Sequence, residues 1–569
     1  MKRRVFVFAG LLLAVTAAHA QMATTVLVHG KVWTENPKQP EVEAVAVAGD
    51  HILAVGTTAE MMKLAGPKAT VIDAKGARVL PGFNDSHVHF IDGGASLASV
   101  QLRETKSEAE FRQRIADFAK TLPKGEWMTE GNWDHERWPD AKLPYHQLID
   151  DVTPDTPVAV SRLDGHMLLA NALAMKLAGV DKSTSDVPGG VIERDAQGNP
   201  TGIFKDAATA LIAKKIPPMS DAQVQRAIVA ACRYAAEHGV TSVQNMAGHA
   251  SGAAAAALAA NTLKAYERAR REGTLTVRMA WSPPLVEWRE QASVGIQAGF
   301  GDDLLQIGGV KGFADGSLGS RTAWMLAPYA DDPSTSGIAS AELTKPDEMY
   351  ADAKGADAAG IQLAIHAIGD RANRTILDFY ERIEKENPTW DRRLRIEHAQ
   401  HLTEQDIPRF AQLHVIASMQ PYHAIDDGRW AVKRIGDQRL HMTHPWRTLL
   451  DSGATIIFGS DWPVAPMDPL MGIYAAVTRR TLDDKNPNGW VPEQRIKVTE
   501  AVHAFTAAPA YAEYREKDKG TLEPGKLADM VVLSDDILHE DPVLIEKTRV
   551  EKTILGGRVI YDRTAAAAR

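Results

Sequence analysis

The chain has 569 residues, 44% of them hydrophobic and 24% charged, a balance that excludes a disordered or fibrous protein and fits a large globular one. Its length suits one large unit with accessory parts. The formal net charge of -9, with no basic block after the first residues, argues against a nucleic-acid partner.

The N-terminus reads as an export signal. Lys2, Arg3 and Arg4 precede a short apolar run from Val5 to Thr16, and Ala18-His19-Ala20 has the small-x-small form of a cleavage site. Residues 1–20 are therefore expected to be removed after Ala20, placing the protein in a bacterial periplasm or outside the cell. The run is short for a span of about 20 residues, so no membrane anchor is expected. Cys232 is the only cysteine, which rules out an intrachain disulfide and a cysteine-based metal site. Any metal must be held by His, Asp, Glu or a modified Lys.

From residue 21 to 78 short strand-like runs alternate with turns: Thr25-Val-Leu-Val, Ala44-Val-Ala-Val and His51-Ile-Leu-Ala-Val, with Gly49-Asp50 as a hairpin signal. The same style returns over 511–569, in Asp529-Met-Val-Val-Leu and in Lys552-Thr-Ile-Leu before the Gly556-Gly557 turn. Neither end can bury a core alone, so the two together are expected to form one discontinuous β-sandwich.

Residues 79–510 alternate apolar strands with helix-like stretches. The strands are expected at Val79–Phe83, Val240–Asn245, Thr276–Trp281, Gln306–Lys311, Gln362–His366, Arg395–His398, Val415–Gln420 and Thr455–Gly459. Eight strands with intervening helices predict a (β/α)8 TIM barrel. The gap after the first strand is too long for one helix, so a subdomain is expected over about residues 95–236. It carries Trp127, Trp133 and Trp138, which read as its own core or as the wall of a pocket. The alanine-rich stretch Gly252–Ala260 reads as a helix rather than a linker.

Residues able to hold a metal recur at the C-terminal ends of these strands, where barrel active sites sit. His87 and His89 follow the first, and their spacing puts both imidazoles on one side of an extended chain. Lys311 ends the fourth, His366 the fifth and His398 the sixth, and Asp461 follows the eighth. One strand-end histidine is readily structural, but several on different strands that converge on one mouth are hard to explain by packing. No phosphate-binding loop and no Gly-x-Ser-x-Gly elbow occurs.

Gly82–His89, Lys311–Thr322, His366–Asp370, Ile396–Gln400 and Gly459–Pro463, in that order, resemble the amidohydrolase superfamily of metal-dependent hydrolases. The nearest branch is amidohydrolase-3, with its enzymes of the N-substituted formamide deformylase type. Asp164-Gly165-His166 through Asn171 and the closing Gly520–Asp529 match it too, while Asn84 stands where the family more often has an apolar residue. The resemblance implies two divalent metals, zinc by default with manganese or iron(II) as alternatives. His87 and His89 would hold one with Asp461, and His366 and His398 the other. Lys311, carboxylated by carbon dioxide, would bridge them; the plain alternative is a lysine paired with Asp315. It further implies a metal-bound hydroxide nucleophile, with Asp461 as general acid and base. His423 is a candidate for substrate or oxyanion contact. His166, Asp315 and Arg321 are candidate substrate contacts, and Asp370 and Glu397 candidate partners of the ligands. The expected reaction is hydrolysis of an amide, N-acyl or N-formyl amine in a small molecule. Deamination, hydrolysis of a cyclic amide or ester, and a non-catalytic periplasmic binding or regulatory role stay open at this point, and a homodimer is the default assembly.

Overall fold

A computed structural model describes residues 22–567 apart from 249–251 and 308. The expected signal segment, residues 1–20, lies outside the described residues. The fold is mixed α/β, and its centre is two five-stranded sheets.

Eight parallel strands run through these sheets in chain order. They are β1 (Phe83–Val88), β2 (Val240–Met246), β3 (Arg278–Ser282), β4 (Gly309–Phe313), β5 (Gln362–Ala367), β6 (Arg395–His398), β7 (Ile416–Met419) and β8 (Ile456–Phe458). The first sheet pairs β1, β2 and β3 side by side, then Leu305–Ile307 beside β3. The second runs from β4 to β8. Leu305–Ile307 leads almost directly into β4, so one stretch of chain serves both sheets. Single bridges link the sheets: Pro284, just after β3, to Lys311 on β4, and Val88 on β1 to Trp462, after β8. No continuous ladder closes the ring among the described residues.

Every residue of β1 to β8 is buried. This is the expected state of parallel strands covered on both faces; strands such as Ile456–Phe458 are wholly apolar, whereas β1 and β6 carry buried polar and charged residues toward the centre. Helices such as Asp221–Glu237, Pro346–Ala358 and Asp370–Glu386 supply the cover. The last buries Ala372, Ile376, Tyr380 and Ile383 at helical spacing. Cys232 is buried on the first of these helices, and burial pushes its thiol up to about 11. The stretch at Gly252 is indeed helical, over Gly252–Arg271.

The expected first strand divides in two. Arg78–Pro81 pairs with Met530–Leu533 and Lys31–Trp33 in a six-stranded sheet built from both chain ends. The parallel strand begins only at Phe83. Gly82 is the joint: a Cβ there would lie 2.2 Å from the Thr241 hydroxyl, so only glycine lets the chain cross from one sheet to the other. The hydrophobic run that precedes the His-x-His pair thus belongs to the terminal sheet. Leu27, Val45, Ile52, Val79, Met530, Val532 and Ile554 share one core.

Between β1 and β2 a further five-stranded sheet spans Met128–Asp206. Leu102, Phe111, Trp133, Trp138 and Val160 pack beneath it, and the Trp133 indole donates to the Val160 carbonyl at 2.9 Å. Trp133 and Trp138 are therefore the insertion's own core rather than a pocket wall.

Candidate metal centre

The C-terminal ends of the parallel strands bring the metal-binding residue types together. His87 is the penultimate residue of β1 and His89 caps the next helix, Phe90–Ser96. Lys311 lies within β4, His366 near the end of β5 and His398 at the end of β6. His423 sits on the helix Pro421–Asp427 after β7, and Asp461 follows β8. Asp461 donates its backbone N–H to the His87 carbonyl at 2.7 Å, which ties the two ends of the array. His398 (φ 74°) and Asp461 (φ 61°) hold left-handed backbone conformations, each costing about 1–3 kcal/mol. Such strain persists where the surroundings fix a functional side chain.

The Asp461 carboxylate is the hub. Its Oδ1 lies 3.2 Å from His89 Nε2 and 3.5 Å from His87 Nε2, and its Oδ2 lies 3.8 Å from His423 Nε2. The ligand atoms of His87, His89 and Asp461 fall within 4.8 Å of one another, as do those of His398, His423 and Asp461. His366 joins neither trio, although its ring packs 4.5 Å from that of His398. Lys311 Nζ is 3.3 Å from His87 Nε2, so the lysine lies against the histidines rather than Asp315.

Most of the imidazoles are turned by a partner on their far side. His87 donates from Nδ1 to Glu397 Oε2 at 2.6 Å, His89 from Nδ1 to the Met246 carbonyl at 3.0 Å, and His398 from Nδ1 to Gln420 Oε1 at 2.7 Å. Each thereby presents an Nε2 lone pair. His366 is reversed: its Nε2 donates to the Gly316 carbonyl at 3.1 Å. Outer hydrogen bonds of this kind fix the tautomer of metal-binding histidines.

Burial sets the charge states. It pushes His87 down to about 4 and holds His366 and His398 well below the usual range, so all three are neutral. Burial also lowers Lys311 to about 8, within reach of the free amine that carbamate formation needs. Burial alone would raise Asp461, yet it is held well below the usual carboxylate range by positive charge on the cluster of His87, His89 and His398 around it, a place that a bound cation would take once those imidazoles are neutral. Neutral imidazoles, a carboxylate and an amine brought close to its uncharged form suit a divalent cation.

The other expected site residues fall in different places. His166 reaches the centre from the insertion: its ring is 5.2 Å from that of His366, and its Nδ1 bonds Asp206 Oδ1 at 2.7 Å. Asp315 is buried and accepts backbone N–H groups from Trp324, Ile368 and Gly369 at 2.7–2.9 Å, so its oxygens brace two loops. Burial raises it to about 7. Arg321 is not brought to the centre. It pairs with Asp331 at 2.8 Å and lines a cleft of 760 Å³ beside His135, Glu136 and Arg434. Asp370 opens a helix and accepts from Leu326 N–H. Glu397, expected beside the ligand candidates, accepts the His87 Nδ1–H. Sequence reasoning missed Gln420, Asp206 and Arg395. Arg395 stands two residues before Glu397 on the same strand, a spacing that could have revealed it.

Residues 70–561 match the amidohydrolase family. Protein LONG AFTER FAR-RED 3 of Arabidopsis thaliana is 36% identical, the match covering 95% of this chain and 92% of that protein. N-substituted formamide deformylase of Arthrobacter pascens is 26% identical over 96% of this chain and all of its own length. An uncharacterized metal-dependent hydrolase from Pyrococcus horikoshii superposes with a TM-score of 0.72 at 28% identity, covering 91% of this chain and 99% of that one. This chain belongs to the amidohydrolase family and is an enzyme, a metal-dependent hydrolase of carbon–nitrogen bonds.

Proposed function

We propose that the enzyme hydrolyses an amide, N-acyl or N-formyl amine in a small molecule at a binuclear centre held by His87, His89, Lys311, His366, His398 and Asp461. One observation carries the reading. Asp461 Oδ1 is buried without a hydrogen-bond partner, facing two imidazole nitrogens whose protons are committed on the far side of each ring. Three electron-pair donors packed this closely repel one another unless a cation lies between them.

A pair of divalent cations, zinc by default, would supply Lewis acidity toward a carbonyl and a water when bound. Lys311, as its carbamate, would be one of the residues that hold them. Asp461 accepts the proton of the attacking water and returns it to the leaving nitrogen, as general base and then general acid. His423, half-buried beside Asp461 Oδ2, holds the substrate carbonyl oxygen. His166, turned by Asp206, contacts the rest of the substrate.

The two parallel sheets read as halves of a (β/α)8 barrel, since strands adjacent in sequence are adjacent in space throughout. Residues 21–78 and 511–569 form the accompanying β-sandwich, and about residues 95–236 the insertion. Residues 1–20 are an export signal cleaved after Ala20, which makes the enzyme periplasmic or secreted. No helix among the described residues is long and apolar enough to cross a membrane.

The test is metal content per chain together with amine release from a panel of N-acyl and N-formyl amines, before and after chelation. About two metals per chain and chelator-sensitive release are expected, with Asp461→Asn folded but inactive. Metal-independent turnover, or full activity in that variant, would sink the reading.

A further inference from the structure

Behind His87 lies a buried arginine that the proposed chemistry does not use. Arg395 and Glu397 are separated by one residue on β6, so both side chains point to the same side of the strand. Arg395 Nε donates to Glu397 Oε1 at 2.7 Å, and the other oxygen, Oε2, receives the His87 Nδ1–H at 2.6 Å. The remaining guanidinium nitrogens are spent across three other strands. One bonds Gln244 Oε1 on β2; the other bonds the Ser86 carbonyl on β1 at 2.9 Å and Ser418 Oγ on β7 at 3.2 Å. Gln244 is fixed in turn by the Pro509 carbonyl at 3.0 Å. All three members, Arg395, Glu397 and His87, are buried to 2% exposure or less.

We infer that Arg395 is a positioning residue of the metal centre: by pinning Glu397 from below, it sets the tautomer and direction of the His87 imidazole above. Among the described residues the Glu397 carboxylate takes its hydrogen bonds from Arg395 and His87, and a buried carboxylate stripped of its hydrogen-bonded cation is costly to keep in place. The guanidinium fork suits the task because it can grip four strands at once, whereas an ammonium offers a point charge without that fixed geometry. This inference rests on the proposed binuclear centre.

The test is zinc affinity, measured by competition with a chromophoric chelator, for the wild-type chain, Arg395→Met, Arg395→Lys, Glu397→Gln and the Arg395→Met/Glu397→Gln double variant. Thermal midpoints of the metal-free proteins report the fold independently. Arg395→Met and Glu397→Gln are each expected to weaken zinc binding by about 10–100-fold, the range for losing an outer partner of a ligand. Arg395→Lys should recover part of that loss. The double variant should bind no worse than the weaker single one, because both changes break the same line. Wild-type affinity in Arg395→Met, or losses that simply add in the double variant, would overturn the inference while leaving the centre intact. If Arg395→Met does not fold, Arg395→Lys and Glu397→Gln decide it: unchanged affinity in both would overturn it. A wild-type chain that takes up no zinc would instead overturn the centre itself, and the inference with it.

Discussion

At the residue scale, the centre depends on groups that bind nothing themselves. Gly459 ends the turn from β8, and a Cβ on it would lie 2.5 Å from the His87 backbone nitrogen and 2.9 Å from an Asp85 carboxylate oxygen. The same Asp85 oxygen accepts the Ser460 N–H at 2.8 Å, so the Asp461 turn is seated directly on β1. Gly459→Ala must push these two chains apart. It is expected to lower bound metal by at least one equivalent while far-UV circular dichroism stays unchanged, and metal analysis of the purified variant checks this. His87, Asp461 and the other ligand types were legible in the sequence because each stands next to an apolar strand run. The role of Gly459 was not, because it arises from a close approach between residues far apart in the chain.

At the element scale, Asn171 shows how a matching motif can be structural. It caps the helix Ala172–Ala178, accepting the Ala174 N–H at 2.9 Å and the Val158 N–H at 3.0 Å. Its amide nitrogen donates to the Thr153 hydroxyl and the Thr156 carbonyl, each at 2.9 Å. Five residues upstream, His166 faces the centre. The segment from Asp164 to Asn171 thus joins a site residue to the bracket that holds it. Asn171→Ala loses a cap and strands buried partners, so a destabilisation of about 2 kcal/mol is expected, read from denaturant unfolding. Trp133 and Trp138 carry the same lesson at this scale. Their chemistry fitted a pocket or a core, and only the sheet they lie under decides for the core.

At the scale of the whole molecule, buried titratable groups pull stability in two directions. Burial lowers His135 and His401 to about 3, from 6.5 in the unfolded chain. Their contribution is present above pH 6.5 and is lost as pH falls toward 3. Burial raises Asp315 to about 7 and Glu342 to about 8, so their contribution is full below the ordinary carboxylate range and is lost as pH rises through 7 to 8. The two sets oppose each other between about pH 4 and 7, and single variants separate them. His401→Gln should gain stability relative to wild type as pH falls from 6.5 toward 3. Thermal midpoints across that range check it, and a parallel offset at every pH would refute the assignment.

The sequence by itself determined which residue types could bind a metal and, the His87 strand apart, which strands would carry them, because side-chain chemistry and strand periodicity are local properties. It also determined that the two chain ends would need each other, since neither could bury a core. Tertiary structure alone decided which candidates meet. It gathered His423 with His398 and Asp461, drew His166 in from the insertion, turned Asp315 into a brace, and left Arg321 in a separate cleft. It also decided that the run before His87 belongs to the terminal sheet, and that Arg395 lies under the centre. These outcomes depend on distances between segments remote in sequence and on the desolvation of buried charge, and both exist only once the chain is packed.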